Sequence, residues 1–195
     1  MIFARVVPTL VLLVLSCTID YAQRPGPEFW RKLSCEPLEP RTKLEALEDK
    51  QSSIVLRGFT RITTLEIRGV RIDAVEMREI GKVRQAKGAV VVLQRDRDGL
   101  IEDNRAFIDY EEIDPLLNAI DQLSKVDETV TKLAGFEAHY RTLGDFEVRV
   151  FRQTRSGTAV TLQTGICAFT TQALTLDDLG KLKAMLQEVK TRLDE

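Results

Sequence analysis

Two stretches of this chain repeat each other without a gap, and the repeat limits the folds open to it more than any other feature. Residues 109–120 superpose on residues 175–186. Each stretch begins with a helix-capping residue, Asp109 or Thr175, and carries an acid three positions later, Glu112 or Asp178. That is the pattern of a capping box, with the carboxylates beside the positive end of the helix. The apolar stripe superposes as well. Ile113, Leu116, Ile120 and Leu123 match Leu179, Leu182, Leu186 and Val189, at the spacing of one helix face. Pro115 interrupts the first copy, so a turn followed by a helix from Asp114 is expected there.

The segments ahead of each helix repeat in the same order. Residues 88–94 resemble 157–163, and residues 70–73 resemble 146–149. Around them, apolar and charged residues alternate. Ile54, Leu56 and Ile62 oppose Arg57 and Arg61; Leu65 and Ile67 oppose Glu66 and Arg68; Val70 and Ile72 oppose Arg71 and Asp73; Val75 and Met77 oppose Glu76 and Arg78. A period of two means strands with one buried and one solvated face. Residues 89–93 form an unbroken apolar run, hence a more central strand, and Asp98-Gly99 supplies a turn signal after it. Residues 106–108 read as a short strand leading into the first helix.

These blocks predict an α+β fold made of two copies of a unit of four strands followed by one helix, at residues 53–126 and 134–193. One integrated domain is expected. Its antiparallel sheet, or pair of sheets, would carry the amphipathic helices on one face. The other face would hold Arg57, Arg61, Arg68, Arg71 and Arg78 beside Glu66, Asp73 and Glu76, as a charge ladder and a candidate contact face.

The N-terminus has a different character. Residues 1–5 carry one positive charge, and residues 6–17 are a 12-residue apolar run closed by Asp20. A bilayer-spanning helix needs about 20 apolar residues, so the run reads as a signal peptide rather than an anchor. Cleavage after Ala22 is expected; it removes Arg5 and Asp20 together and leaves the net charge at -2. The alternative is a lipoprotein box at Val14-Leu15-Ser16-Cys17, with Cys17 lipidated at the membrane. Residues 23–52 then form a Pro-rich strap, pinned by Phe29 and Trp30, and a short helix or turn around Leu44 and Leu47. After cleavage at Ala22 two cysteines remain, Cys35 and Cys167. In an oxidising compartment they could bridge, for about 4–5 kcal/mol on the chain-entropy model, or stay as two buried thiols.

No residue pattern names a reaction. Nucleophile elbow, zinc-protease, phosphate-loop and dinucleotide fingerprints are missing from the sequence. Residues 96–104 gather Asp96, Asp98, Glu102, Asp103 and Asn104, but Gly99 comes too early and Arg105 stands where a calcium loop needs its glutamate. A solvated hairpin loop is expected instead, with no metal. Glu111, Glu112 and Asp114 are explained by their helix start. The single histidine, His139, shares with Glu137 and Arg141 what reads as a charged strand face, away from Phe136, Ala138 and Tyr140.

The order of four strands then one helix is similar in outline to the single-stranded-DNA-binding fold of the PC4 and Whirly transcription factors. That likeness is topological and carries no binding residue across. Stacking platforms need aromatics among basic residues, and the solvated face offers mainly Phe59 and Phe151. A net charge of -2 also lacks the basic field that nucleic acid selects, so no nucleic acid is expected. The expectation is an exported bacterial protein, periplasmic or secreted. It would act without catalytic chemistry or cofactor, as a binding or structural module of the cell envelope. Its partner would be a protein or envelope component met through the charged face or a free sheet edge, with homodimerisation through the edges as a further reading. The alternative is a hydrolase-like or lyase-like envelope enzyme built on His139, and the remote one is a PC4/Whirly-like single-strand binder.

Overall fold

The computed structural model describes residues 39–97, 100–127, 129–153, 157–165 and 170–195. A short helix α1 (Lys43–Glu48) precedes four strands, β1 (Val55–Arg61), β2 (Val70–Glu79), β3 (Gln85–Arg97) and β4 (Leu100–Asp109), and then helix α2 (Tyr110–Leu123). The pattern repeats as β5 (Phe136–Arg141), β6 (Phe146–Gln153), β7 (Gly157–Thr164), β8 (Thr170–Leu174) and helix α3 (Leu176–Asp194). Each quartet is a separate antiparallel sheet with its strands in sequence order. The expected α+β architecture of two four-strand-plus-helix units is therefore the observed one.

Both helices bury the stripes foreseen for them, with Met185 and Leu193 added to the second. One apolar core joins them to the inner faces of both sheets, through Ile72, Val91 and Ile108 on one side and Phe146, Val148 and Leu162 on the other. The helices do not stay with their own strands. α3 packs chiefly on β2 and β3 of the first sheet, while α2 lies against β3 and β4 and also β5 and β6.

A second, smaller core changes the reading of the first sheet. The residues of β2 pair with β3 in unbroken register from Val70–Leu93 to Arg78–Gln85, with no bulge. Side chains keep their period of two, so Val75 and Met77 share a face with Arg71 and Asp73, while Glu76 and Arg78 share the opposite face with Ile72. The expected single apolar face is thus corrected: the apolar residues of β2 change sides midway. α1 makes this possible by covering the outer face. Its Leu44 and Leu47 pack on Val75, Met77, Ala86, Val90, Val92 and Phe107. Each buried leucine contributes about 1.5–3 kcal/mol.

Other expectations need correction. Residues 62–69 form a connection rather than a strand, closed by Gly69 at φ 72 and an Ile67–Val70 bridge. β4 has 10 residues, longer than the short strand expected at 106–108. α2 runs unbroken from Tyr110, with Pro115 inside it. The proline withholds one amide, from the exposed Glu111 turn near the helix start, and costs the helix no break. The repeated blocks pair two residues out of step: Ile72 faces Val91, whereas Val148 faces Leu162. A shift of two keeps every side chain on its face.

Candidate functional site: the open edge of the first sheet

β1 hydrogen-bonds to β2 alone among the strands of its sheet. The Ile80 amide donates to the Ile54 carbonyl at 2.9 Å, and the Ile62 amide donates to the Ile72 carbonyl at 2.9 Å. Even-numbered residues of β1 therefore point their backbone groups at β2. By the alternation of an antiparallel ladder, the N–H and C=O groups of Val55, Arg57, Phe59 and Arg61 point to the open side. Along this edge apolar side chains are left in water: Ile54 is 73% exposed, Leu56 53% and Phe59 64%. Ile80 and Val83 in the adjoining β2–β3 hairpin and Leu65 in the β1–β2 connection are exposed too. Most of the large exposed hydrophobic side chains among the described residues thus gather at one sheet edge.

The sequence pattern places Ile54 and Leu56 in the core, and the structure does not. α3 packs chiefly on β2 and β3 of this sheet and leaves Ile54 and Leu56 at the edge uncovered. A glycine, Gly58, in the middle of an alternating strand was the available signal that something other than core packing governs β1. It lines a cleft of about 590 Å³ whose other walls include Leu56, Glu76, Arg78, Lys87 and Tyr110. Lys87 is committed there to the end of α3. Its ammonium donates to the Leu193 carbonyl at 2.5 Å and sits 4.2 Å from the Tyr110 ring centre. The Tyr110 hydroxyl donates to Asp194 at 2.6 Å; that bond raises the phenol and lowers the carboxyl relative to their ordinary values.

The five candidate arginines do not share one surface. Arg57, Arg61 and Arg71 lie on the outer face; Arg78 points to the opposite one, and Arg68 sits in the β1–β2 connection. On the outer face each cation has a carboxylate. Arg57 and Arg105 flank Glu48 at 3.5 and 3.2 Å, while Arg61 and Arg71 cover the buried Asp73 at 3.6 and 3.4 Å. The half-exposed pairs at Glu48 contribute about 0–1 kcal/mol each. Asp103 adds a third acid, 3.8 Å from Arg71, so these four cations face three carboxylates and most of their charge is offset.

The matching edge of the second sheet is built differently. The Thr142 amide donates to the Phe146 carbonyl at 2.9 Å, so the outward-facing residues of β5 are Glu137, His139 and Arg141. The charges of Glu137 and Arg141 guard that edge against another strand. His139 pairs across the sheet with Arg149, and its Nδ1 lies 4.0 Å from Glu137, beyond hydrogen-bond reach. Arg149 is 3.2 Å from Glu137 and, with Arg141, clamps Glu147. Burial pushes the Glu147 carboxyl up, but the hydrogen bonds from Arg149 and Arg141 outweigh it and hold the group below its ordinary value.

The remaining candidates fall into structural roles or outside the described residues. Glu111 pairs with Lys43, Glu112 accepts the Leu143 amide at 2.8 Å, and Asp114 holds Lys190 at 2.6 Å. Glu102, Asp103 and Asn104 belong to β4, paired with Arg95, Gln94 and Leu93, so the expected loop is two paired strands. No group of three or more metal-ligating side chains occurs among the described residues. Cys17, Cys35, Cys167, Phe29, Trp30 and the Asp98-Gly99 turn lie outside the described residues. Comparison with protein-family models, with curated proteins and with solved structures returns no match to this chain.

Proposed function

We propose that the protein is a non-catalytic binding module of the bacterial cell envelope that takes an extended strand of a partner onto β1. The observation that carries this reading is the contrast between the two equivalent edges. Both edges leave backbone groups open, but β5 flanks them with Glu137 and Arg141, whereas β1 adds exposed Ile54, Leu56 and Phe59. Strand addition supplies affinity through the main chain and specificity through alternate side chains. Leu56 and the cleft beside Gly58 would read one face of the incoming strand, and Phe59 with Arg57 the other.

Placement in the envelope rests on the N-terminal residues: a charged start, a 12-residue apolar run and Ala22 ahead of Gln23. No helix among the described residues is long and apolar enough to cross a membrane. The mature chain would begin at Gln23, with Cys35 bridged to Cys167. The intact, non-reduced mass of protein recovered from an exporting host tests this. A start at Gln23 and a loss of two hydrogens support it; a start at Cys17 with added acyl mass replaces it with a lipid anchor.

The binding reading is tested by placing a photo-reactive amino acid at Phe59 and, as a reference, at His139, in the exporting host. Cross-links to another polypeptide at Phe59 and none at His139 are expected. The reading fails if Phe59 yields no more cross-link than His139. Replacing His139 by Ala leaves a β1-mediated contact unchanged, while an enzyme built on that imidazole would lose its activity.

A further inference from the structure

The strand that fits this edge best is the edge itself. Resting on the strand-addition reading, we propose that two copies of the chain associate about a two-fold axis. β1 would run antiparallel to β1 of the partner subunit, with Gly58 facing Gly58 of the partner subunit.

The register follows from the backbone and the charges. Odd-numbered residues of β1 have the outward groups, so an antiparallel pairing joins odd to odd. Centred on Gly58, Val55 faces the partner's Arg61 and Arg57 faces the partner's Phe59, and the overlap uses the whole of Val55–Arg61. Moving the centre to residue 57 puts Arg57 opposite its own copy. Moving it to residue 59 puts Arg57 opposite the partner's Arg61. Like charges directly opposite one another destabilise a sheet, so both neighbouring registers are disfavoured.

The side chains agree with that register. Arg57 already lies 5.9 Å from the Phe59 ring centre of its own chain, and the partner's guanidinium would approach the same ring from the other strand. Glu48 and Asp73 each sit between two arginines of their own subunit, so the charge of Arg57 and Arg61 is only partly offset, and a register that keeps arginine from facing arginine matters the more. On the other face Leu56 would meet the partner's Thr60, and Ile54 would lie beside the partner's Ile62, itself buried in its own subunit, so the apolar surface removed from water is that of Ile54 and Leu56. At the axis two glycines leave the backbones free to approach. The contact is isologous and closes on itself; the charged β5 edge does not extend it into a filament.

The unmodified protein is expected to sediment as a dimer across micromolar concentrations. Arg57→Pro removes one outward N–H and no bond to β2, and should weaken association at least tenfold while circular dichroism stays unchanged. Gly58→Cys provides an independent reading. A side chain there meets nothing nearer than the Glu76 carbonyl at 4.0 Å. Residues facing each other in a non-hydrogen-bonded pair have Cα atoms about 4.5 Å apart, within disulfide range. The variant should therefore oxidise to a dimer linked at position 58, whereas Phe59→Cys should not link to itself. A monomer at every concentration, a dimer indifferent to Arg57→Pro, or linkage at position 59 instead of 58 overturns the proposal. Cross-linking at Phe59 to a different polypeptide overturns the second copy but leaves the strand-addition reading standing. No cross-link at all removes both.

Discussion

Asp109 caps a helix that is not its own: its carboxylate accepts the backbone N–H of Lys43 at 2.7 Å. The other oxygen accepts the Leu44 amide at 3.1 Å, and the side chain makes no cap bond to α2, which begins beside it. Thr42 and Glu45 complete the α1 start with a capping box. Asp109→Ala leaves two amides without acceptors at a buried site and should cost about 2–3 kcal/mol. Asp109→Asn keeps an acceptor and should cost less. Urea unfolding of both variants measures the difference; equal losses would contradict the capping role.

Gly144 is where the two units touch backbone to backbone, through a bridge to Phe107. A Cβ at Gly144 would lie 1.9 Å from the Phe107 carbonyl oxygen, which belongs to a paired strand. Gly144→Ala should destabilise by about 3 kcal/mol or more, since main chain must move. Gly58→Ala, with open space around it, should stay within about 1 kcal/mol of the parent. Thermal unfolding of the two variants side by side tests the contrast.

What the sequence made legible was local. The stripes of α2 and α3 stood out because each helix has one buried face, and the Thr175–Asp178 box because both partners lie within one turn. The parity of β2 was hidden, because Val75 and Met77 are buried by Leu44 and Leu47, which are distant in sequence. The role of Asp109 was hidden for the same reason: its partners belong to another helix. Ile54 and Leu56 looked like core because alternation reports amphipathicity and says nothing about whether a neighbouring element arrives to cover it. The open edge is therefore a property of the assembled sheet.

Glu112 ties α2 to the β5–β6 turn through the Leu143 amide. Burial raises its carboxyl above the ordinary value, against the pull of the Leu143 and Asp109 amides. A carboxyl raised on folding adds stability below its unfolded pKa, and that contribution is lost as pH rises through the folded value. Glu112→Gln should therefore be more stable than the parent at pH 7. The gain should vanish as the pH falls below the ordinary carboxylate range. Unfolding free energies at both pH values check this, and a gain that grows in acid would refute it.

Asp178 behaves in the opposite sense. Lys181 and Thr175 hydrogen-bond its carboxylate and lower it to about 2. A carboxyl lowered on folding adds stability above its unfolded pKa, which is lost as pH falls towards the folded value. Asp178→Asn should cost stability at pH 7, and the penalty should fade between the ordinary value of 3.8 and about 2. Thr175→Ala should cost about 1 kcal/mol at pH 7 through loss of the cap. Acid titration of the helical signal would separate the two.

The crossing of α3 onto β2 and β3 fixes the order in which the molecule can be finished. α3 completes the core over the first sheet, so part of the apolar inner face of β2 and β3 stays uncovered until α3 docks on it. Neither half can close its core alone, and the contacts that close it join residues more than a hundred positions apart. Folding of this kind pays its loop-closure entropy late and is slow.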